Sequence, residues 1–311
     1  MNGLDLDARW LPAMLEQSGN PRILPGERGY LVGASAIIPL QVPPPGTSGA
    51  AGEALHPLGN PHYLLDPMNG LRIAGLIRDR LGELRPERRE AFGQRYDDFR
   101  RRLGVQMVGQ ALMDRYGEFE TLVGLAEYGR LEQFLQNQHL GEDDKPARLA
   151  GWLGTMAPHR GTRAVGDHDR WVYFARRFGI DVVAHLEPRP GVPPSAPRLA
   201  ELVKRMRTDG VRLILASSSG HPRDVRLLAE RSGAAIAWLD DPGGARDYLS
   251  MIDADVRRVA LALGNRTTTT TTTTRPAPDV DTTTTSMPEP APESRSIRRL
   301  LRRSAPAASP R

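Results

Sequence analysis

The stretch VRLILASSSGHPRDVRLLAERSGAAIAWL, residues 211–239, determines the fold of the second half of this chain. Leu213-Ile214-Leu215 is a continuous apolar run, typical of a buried strand, and Ala235–Leu239 is a second β-like run. Between them, Arg223–Ser232 has helical character. Strand, helix and strand in alternation favour a parallel sheet with right-handed crossovers.

The same alternation extends over residues 151–264. One helix of this region carries a clear apolar face, formed by Leu199, Leu202, Val203 and Met206. Two further β-like runs precede helices in the same way: Arg163–Val165 precedes the helix Arg170–Phe178, and Ile180–Ala184 precedes the helix Arg198–Thr208. A last helix, Arg246–Leu263, follows the run Ala235–Leu239. We therefore predict an α/β lobe over these residues.

Composition limits the kinds of function that the chain can have. Its 311 residues are 39% hydrophobic and 25% charged, as in soluble globular proteins. Cysteine is absent, so a metal site would have to use His, Asp or Glu. The pI near 9.8 suggests nucleic acid. However, residues 265–311 hold eight Arg against four acidic residues, which is most of the net charge of +5, so we predict no nucleic-acid partner.

His62 lies in a turn suited to presenting a ligand, Asn60-Pro61-His62-Tyr63-Leu64-Leu65-Asp66-Pro67. Pro61 biases Asn60 toward extended geometry, and Asp66-Pro67 precedes a predicted helix. Such a turn can hold an imidazole rigidly at the edge of a lobe. The alternative is a loop histidine that packs or caps.

Two further candidate ligands follow predicted strands. His168, in Asp167-His168-Asp169, lies at the carboxyl end of a parallel strand, where ligands of open α/β sheets bind. One of its neighbouring aspartates could instead cap the next helix. Asp240 and Asp241 follow the strand Ala235–Leu239, and one of them could serve the turn into Pro-Gly-Gly. Two histidines and an aspartate would make a site suited to Zn²⁺ or Mn²⁺.

Together these motifs resemble the extracytoplasmic metal-binding proteins of zinc/manganese ABC transporters, a family of periplasmic solute-binding proteins (cluster A-I, zinc-uptake type). Residues 60–67 resemble the family's second-ligand motif, and residues 167–179 its third-histidine segment. Further similar segments are residues 2–6 (NGLDL), 187–195, 199–202 and the start of the last helix, 247–252. The resemblance covers roughly residues 1–264.

The resemblance implies a fold and a ligand set. The fold is α/β, with two lobes of parallel sheet joined by a long connecting helix and a metal ion bound between them. His62 would be the second histidine ligand, His168 the third, and Asp240 the carboxylate, with Asp241 as the next choice. Two histidines in loops are weaker candidates, namely His56 and His221.

The family's first histidine precedes an Asn-Gly-Leu segment that here follows Met1 directly. We therefore expect an incomplete first lobe, without its first ligand, its early strands and an export signal. The predicted organisation is a remnant of the N-terminal metal-binding lobe (1–85), a connecting helix with a helical insertion (86–150), the C-terminal α/β lobe (151–264) and a disordered Thr/Pro/Arg-rich tail (265–311).

The function implied by the resemblance is capture of a metal ion and its delivery to a membrane ABC-transporter permease, by a periplasmic monomer that is not an enzyme. Zinc is favoured and manganese is the alternative, because imidazole-rich sites suit zinc. A metal-dependent hydrolase is a rival interpretation, although the sequence lacks His-Glu-x-x-His and Gly-x-Ser-x-Gly motifs. The other rival is a non-functional truncated remnant.

Overall fold

The described part of the chain has a helical first half and an α/β second half. The computed structural model describes residues 1–44, 56–137, 148–187, 192–240 and 247–264. The first half contains α1 (Leu11–Gln17), α2 (Pro67–Leu84), α3 (Arg89–Val108), α4 (Gln110–Tyr116), α5 (Phe119–Glu127) and α6 (Leu131–Gln136). The second half contains α7 (Gly151–Met156), β1 (Thr162–Gly166), α8 (Val172–Phe178), β2 (Ile180–His185), α9 (Ala196–Thr208), β3 (Leu213–Ser217), α10 (Pro222–Ser232), β4 (Ala235–Leu239) and α11 (Tyr248–Gly264).

The four strands form one parallel sheet in the order β2-β1-β3-β4. All five residues of β3 are buried, as expected for an interior strand covered by helices on both faces. Each predicted strand is present to within two residues at either end, and each is followed by its predicted helix. The α/β prediction for residues 151–264 is confirmed.

Residues that alternate along β3 belong to two separate apolar cores. Leu213 and Leu215 pack in the larger core, which also contains residues of α8 and α11. Ile214 packs in the smaller core with α9 and α10. The predicted apolar face of α9 is buried there, at Leu199, Leu202, Val203 and Met206. Alternating strand residues thus attach helices to both faces of the sheet.

Two long helices, α2 and α3, pack against each other in the first half. Asp66 caps α2, since its side chain accepts a hydrogen bond from the Met68 backbone N–H, and Pro67 occupies the first helical turn. A 3₁₀ turn, Pro86–Arg88, precedes α3, so this helix begins at Arg89 and not at Pro86 as the sequence predicts. His62 lies five residues before the start of α2, in the loop that leads into this helix.

Within the described part of residues 1–137 the backbone forms helices, 3₁₀ turns and loops, but no strand. The sheet that the resemblance implies for a first lobe is therefore not formed by these residues. Residues Gly33–Ala36 form a 3₁₀ turn, whose first two N–H groups donate to the carbonyls of Met1 and Asn2. These N–H groups are satisfied without a ladder partner.

Residues 1–267 form one compact unit. None of the described helices has the length and hydropathy to cross a membrane. The tail 265–311, predicted to be disordered, and the candidate ligand Asp241 lie outside the described residues.

Candidate metal site

The strand order creates a crevice at the carboxyl edge of the sheet. From β1 the chain crosses to β2 on one side and then returns to β3 on the other, so the ends of β1 and β3 are a topological switch point. Ligands of open α/β sheets bind at such a point. His168 follows β1 at this place, and its side chain is 11% exposed.

Asp167 fixes the loop that carries His168. Its Oδ1 accepts hydrogen bonds from the backbone N–H of His168 at 2.7 Å and from the Trp171 indole at 2.8 Å. Its Oδ2 accepts from the Ser217 backbone N–H at 2.7 Å, which links the ends of β1 and β3. Burial raises the pKa of Asp167. The alternative that an aspartate caps α8 is wrong, because that helix has no side-chain cap.

Asn60 positions His62 and connects it to the loop of His168. The Asn60 amide nitrogen donates to Gln41 Oε1 and to the Asp169 carbonyl, both at 2.7 Å. Asn60 Oδ1 therefore acts as the acceptor, and it lies 3.0 Å from both the backbone nitrogen and Nδ1 of His62. Hence Nδ1–H of His62 donates, and the neutral ring has its lone pair on Nε2, which is then the nitrogen that can bind a metal ion.

Glu187 has the same effect on His168. Its Oε2 lies 3.0 Å from His168 Nδ1, and a carboxylate can only accept, so Nδ1–H donates and the neutral form of the ring carries its lone pair on Nε2. Glu187 lies two residues beyond β2, the strand next to β1. Its Oε1 also lies 3.6 Å from Nε2 of His221. A carboxylate that orients a histidine ring in this way is common behind metal ligands.

Three histidine rings lie next to one another at this edge. The centroids of His62 and His168 are 5.8 Å apart with the ring planes at 80°, and those of His56 and His62 are 6.2 Å apart at 71°. The pKa of His56 is lowered, first by burial and then by the nearby His168, against the opposing effect of Asp5 and Asp169. His56 is therefore favoured as a neutral imidazole.

Asp240 lies elsewhere. Its Oδ2 forms an ion pair with Arg258 Nη1 at 2.7 Å, and its backbone N–H donates to Asp255 Oδ1, so its polar contacts are with α11. It follows β4, which β3 separates from β1. Two strand spacings amount to about 10 Å. The structure therefore brings together four of the predicted ligands, His56, His62, His168 and His221. Asp240 is not among them, because it is paired with Arg258.

Glu187 and His185 also belong to this cluster, although they were not predicted from the sequence as site residues. His185 ends β2, and its Nε2 lies 3.4 Å from Asp169 Oδ1. Both residues satisfy the criterion that identified His168, a polar side chain at the carboxyl end of a strand, so the signal was present. Among the described residues, no group of three or more His, Asp or Glu side chains converges tightly enough to hold a metal ion.

Comparisons with known proteins agree with this fold. The family model described as zinc-uptake complex component A, periplasmic (ZnuA) matches residues 1–106 and 150–262. A search of curated proteins finds no match. Among solved structures, a crystal structure of ZnuA is 20% identical with a TM-score of 0.51, over 83% of this chain and 76% of that one.

Two metal-bound structures are similarly related. A zinc-bound deletion mutant of ZnuA is 20% identical (TM-score 0.51; 84% of this chain, 76% of that one). A manganese-bound mutant of the periplasmic metal-binding protein from Candidatus Liberibacter asiaticus is 16% identical (TM-score 0.52; 84% and 79%). At these identities the likeness shows the fold alone.

The family match covers more than half of the chain, and the matched ranges include both histidine motifs and all four strands of the sheet. Proteins of this family bind solutes and are not enzymes, so the expectation that this chain is not an enzyme is confirmed. The chain belongs to the ZnuA family of periplasmic metal-binding components of uptake complexes.

Proposed function

We propose that the chain captures a metal ion, Zn²⁺ in preference to Mn²⁺, and delivers it to an ABC-transporter permease as a periplasmic monomer. One observation carries this proposal. His62 and His168 come from segments 106 residues apart in sequence, yet their rings lie edge to face at 5.8 Å. In each ring, Nδ1–H donates to a protein oxygen, so the neutral imidazole carries its lone pair on Nε2.

Capture would need no chemical step. Neutral imidazoles bind the ion, so affinity should fall in mild acid as protons compete for the same nitrogens. Because the two histidines belong to the helical first half and to the α/β second half, a bound ion would connect the two halves. We propose that these halves correspond to the family's two lobes, and that the permease recognises the connected form.

The carboxylate ligand is proposed to be Asp240 or Asp241. For Asp240 to reach an ion at His168, its side chain must leave Arg258 and cross the end of β3. An ion pair of this kind, half exposed to solvent, costs little to break, about 0–1 kcal/mol. Breaking this ion pair is therefore cheap, but two strand spacings remain, about 10 Å, so the backbone at Asp240 would have to move as well.

The test is a zinc titration of the purified chain against a chromophoric chelator. We compare the wild type with His62→Ala, His168→Ala and Asp240→Asn, and His159→Ala serves as the control because it lies at the end of a 3₁₀ turn before β1. We expect one-to-one binding that weakens by more than about 100-fold in both cluster variants, beyond the loss typical of a residue that only orients a ligand. His159→Ala should bind like the wild type.

The same titration can contradict the proposal. Weak zinc binding that is indifferent to His62→Ala and His168→Ala would mean that the histidine pair is not a metal site, as expected of a non-functional remnant. If Asp240→Asn binds zinc like the wild type, Asp240 is not the carboxylate ligand. A parallel manganese titration measures the preference between the two ions.

A further inference from the structure

We propose that Gln41 is a positioning residue, which transmits a fixed orientation from the loop of His168 to the ring of His62. The inference rests on the proposed function. Its basis is a chain of hydrogen bonds that runs from Asp169 through Gln41 and Asn60 to His62. Gln41 would act through these other residues and would not itself bind the ion.

Each hydrogen bond in this chain fixes the direction of the next one. The Asp169 carboxylate can only accept, so the nitrogen end of the Gln41 amide faces it, with Nε2 2.9 Å from Oδ1. The oxygen end, Oε1, therefore faces Asn60, whose Nδ2 donates to it at 2.7 Å. Asn60 Oδ1 then accepts from Nδ1–H of His62 at 3.0 Å. One carboxylate thus sets the tautomer of His62 through two side-chain amides.

The Gln41 amide connects segments that meet only in the folded protein. Gln41 and Asn60 lie 19 residues apart in loops of the first half, whereas Asp169 follows β1 in the second half. Asp169 is also the residue directly after His168. The chain of hydrogen bonds therefore links the loops of both proposed histidine ligands.

The backbone of Gln41 has φ +56°, in the left-handed region that residues other than glycine rarely adopt. The preceding residue, Leu40, is held at both of its backbone groups. Its N–H donates to Tyr173 Oη at 2.9 Å, and its carbonyl accepts from the Asn60 N–H at 2.8 Å. Tyr173 Oη in turn donates to the Asn60 carbonyl at 2.9 Å. Strained conformations of this kind persist where the surrounding contacts impose them, and they are frequent at ligand sites.

The exposure of Gln41 separates a positioning role from a stabilising one. Its side chain is exposed, unlike that of Asn60, which is buried. Hydrogen bonds that water can replace contribute little net stability, so removal of the Gln41 amide should leave the free energy of unfolding nearly unchanged. The effect should appear in the ordering of the His62 ring and in metal affinity, because a preorganised site loses less entropy on binding.

The experiment compares the full wild-type chain with Gln41→Ala, with the double variant Gln41→Glu/Asp169→Asn, and with Gln94→Ala. Gln94 is the matched control, since it is an exposed glutamine of α3 that bonds to the carboxylate of Glu90. The double variant exchanges the amide and the carboxylate, so both hydrogen bonds and the net charge are kept. Long-range ¹H–¹⁵N spectra of the metal-free chain report the tautomer of His62, and titration against a chelator gives the zinc affinity.

We expect Gln41→Ala to mix the two tautomers of His62 and to weaken zinc binding about 10-fold, the smaller end of losses for residues behind a metal ligand. The double variant should keep one tautomer and bind zinc nearly as the wild type does. Gln94→Ala should match the wild type in both measurements. The midpoint of chemical denaturation should be nearly the same in all four proteins.

The outcomes separate this inference from the proposed function. An unchanged His62 tautomer in Gln41→Ala overturns the inference, whatever the zinc affinity does. Mixed tautomers that the double variant does not restore also overturn it, because the two hydrogen bonds are then not the cause. If zinc binding is indifferent to His62→Ala and His168→Ala, the proposed function fails, whereas the spectra of the metal-free chain still decide whether Gln41 orients His62.

Discussion

Arg177 and Asp66 form a buried, two-pronged ion pair that joins the two histidine segments. Arg177 Nε donates to Asp66 Oδ1 and Nη2 to Oδ2, both at 2.8 Å, and Nη1 donates to Glu127 Oε2 at 3.2 Å. Asp66 ends the turn that begins at His62 and caps α2, while Arg177 belongs to α8, which follows His168. The pair therefore links the two places from which these rings project.

Replacing Arg177 by Ala should destabilise the chain by about 3–5 kcal/mol, because it leaves the Asp66 carboxylate buried without its partner. Chemical denaturation measures the change. Arg176→Ala is the matched control, since Arg176 pairs with the same Glu127 but is 56% exposed. That change should cost no more than about 1 kcal/mol. An equal decrease in the free energy of unfolding in the two variants would show that the buried ion pair contributes no more to stability than the exposed one.

Replacing Glu187 by Ala should lower zinc affinity by about 10- to 100-fold, because His168 loses the acceptor of its Nδ1–H bond. Glu187→Gln keeps an acceptor oxygen and should lose less. The titration is accompanied by long-range ¹H–¹⁵N spectra, in which Glu187→Ala should mix the two tautomers of His168. Glu201→Ala, a 69% exposed glutamate of α9, is the control. An unchanged tautomer in Glu187→Ala would contradict the orienting role.

Two glycines in long helices should respond oppositely to alanine. A β-carbon at Gly70 of α2 would lie 2.6 Å from the Tyr248 ring, so Gly70→Ala should cost about 1–3 kcal/mol through overpacking. At Gly93 of α3 nothing lies within 4 Å, and Gly93→Ala should stabilise by about 0.5–1 kcal/mol through helix propensity. Denaturation curves of both variants test this contrast. A neutral or stabilising Gly70→Ala would mean that Tyr248 moves aside at little cost.

Asp255 should make the chain less stable as pH rises. Burial raises its pKa from the ordinary value of 3.8 to about 7. Between these values the folded chain holds a proton that the unfolded chain releases, so the free energy of unfolding decreases with pH in this window. Asp255→Asn should remove this slope and stabilise the chain by about 1–4 kcal/mol at pH 8. Denaturation between pH 4 and 8 measures it, with the exposed Asp79→Asn as control.

The observed secondary structure of the second half could be predicted from sequence because its signals are local. Apolar runs such as Leu213-Ile214-Leu215 and the apolar face of α9 reflect which residues must leave water. The first half was less predictable. Its apolar pieces are short, and the backbone near Gly33 bonds to Met1 and Asn2 in place of a strand.

The candidate site divides in the same way. Local signals in the sequence were enough to place His62 in a rigid turn before a helix, and His168 and Asp240 after strands. These turn and strand signals lie within a few residues of each side chain. Three contacts could be found only in the folded chain. Glu187 bonds to Nδ1 of His168, the ring of His56 lies beside that of His62, and Asp240 pairs with Arg258. These distances depend on the strand order β2-β1-β3-β4 and on the packing of the helices. Strand order and helix packing arise from contacts between segments far apart in the chain, and local periodicity does not encode such contacts.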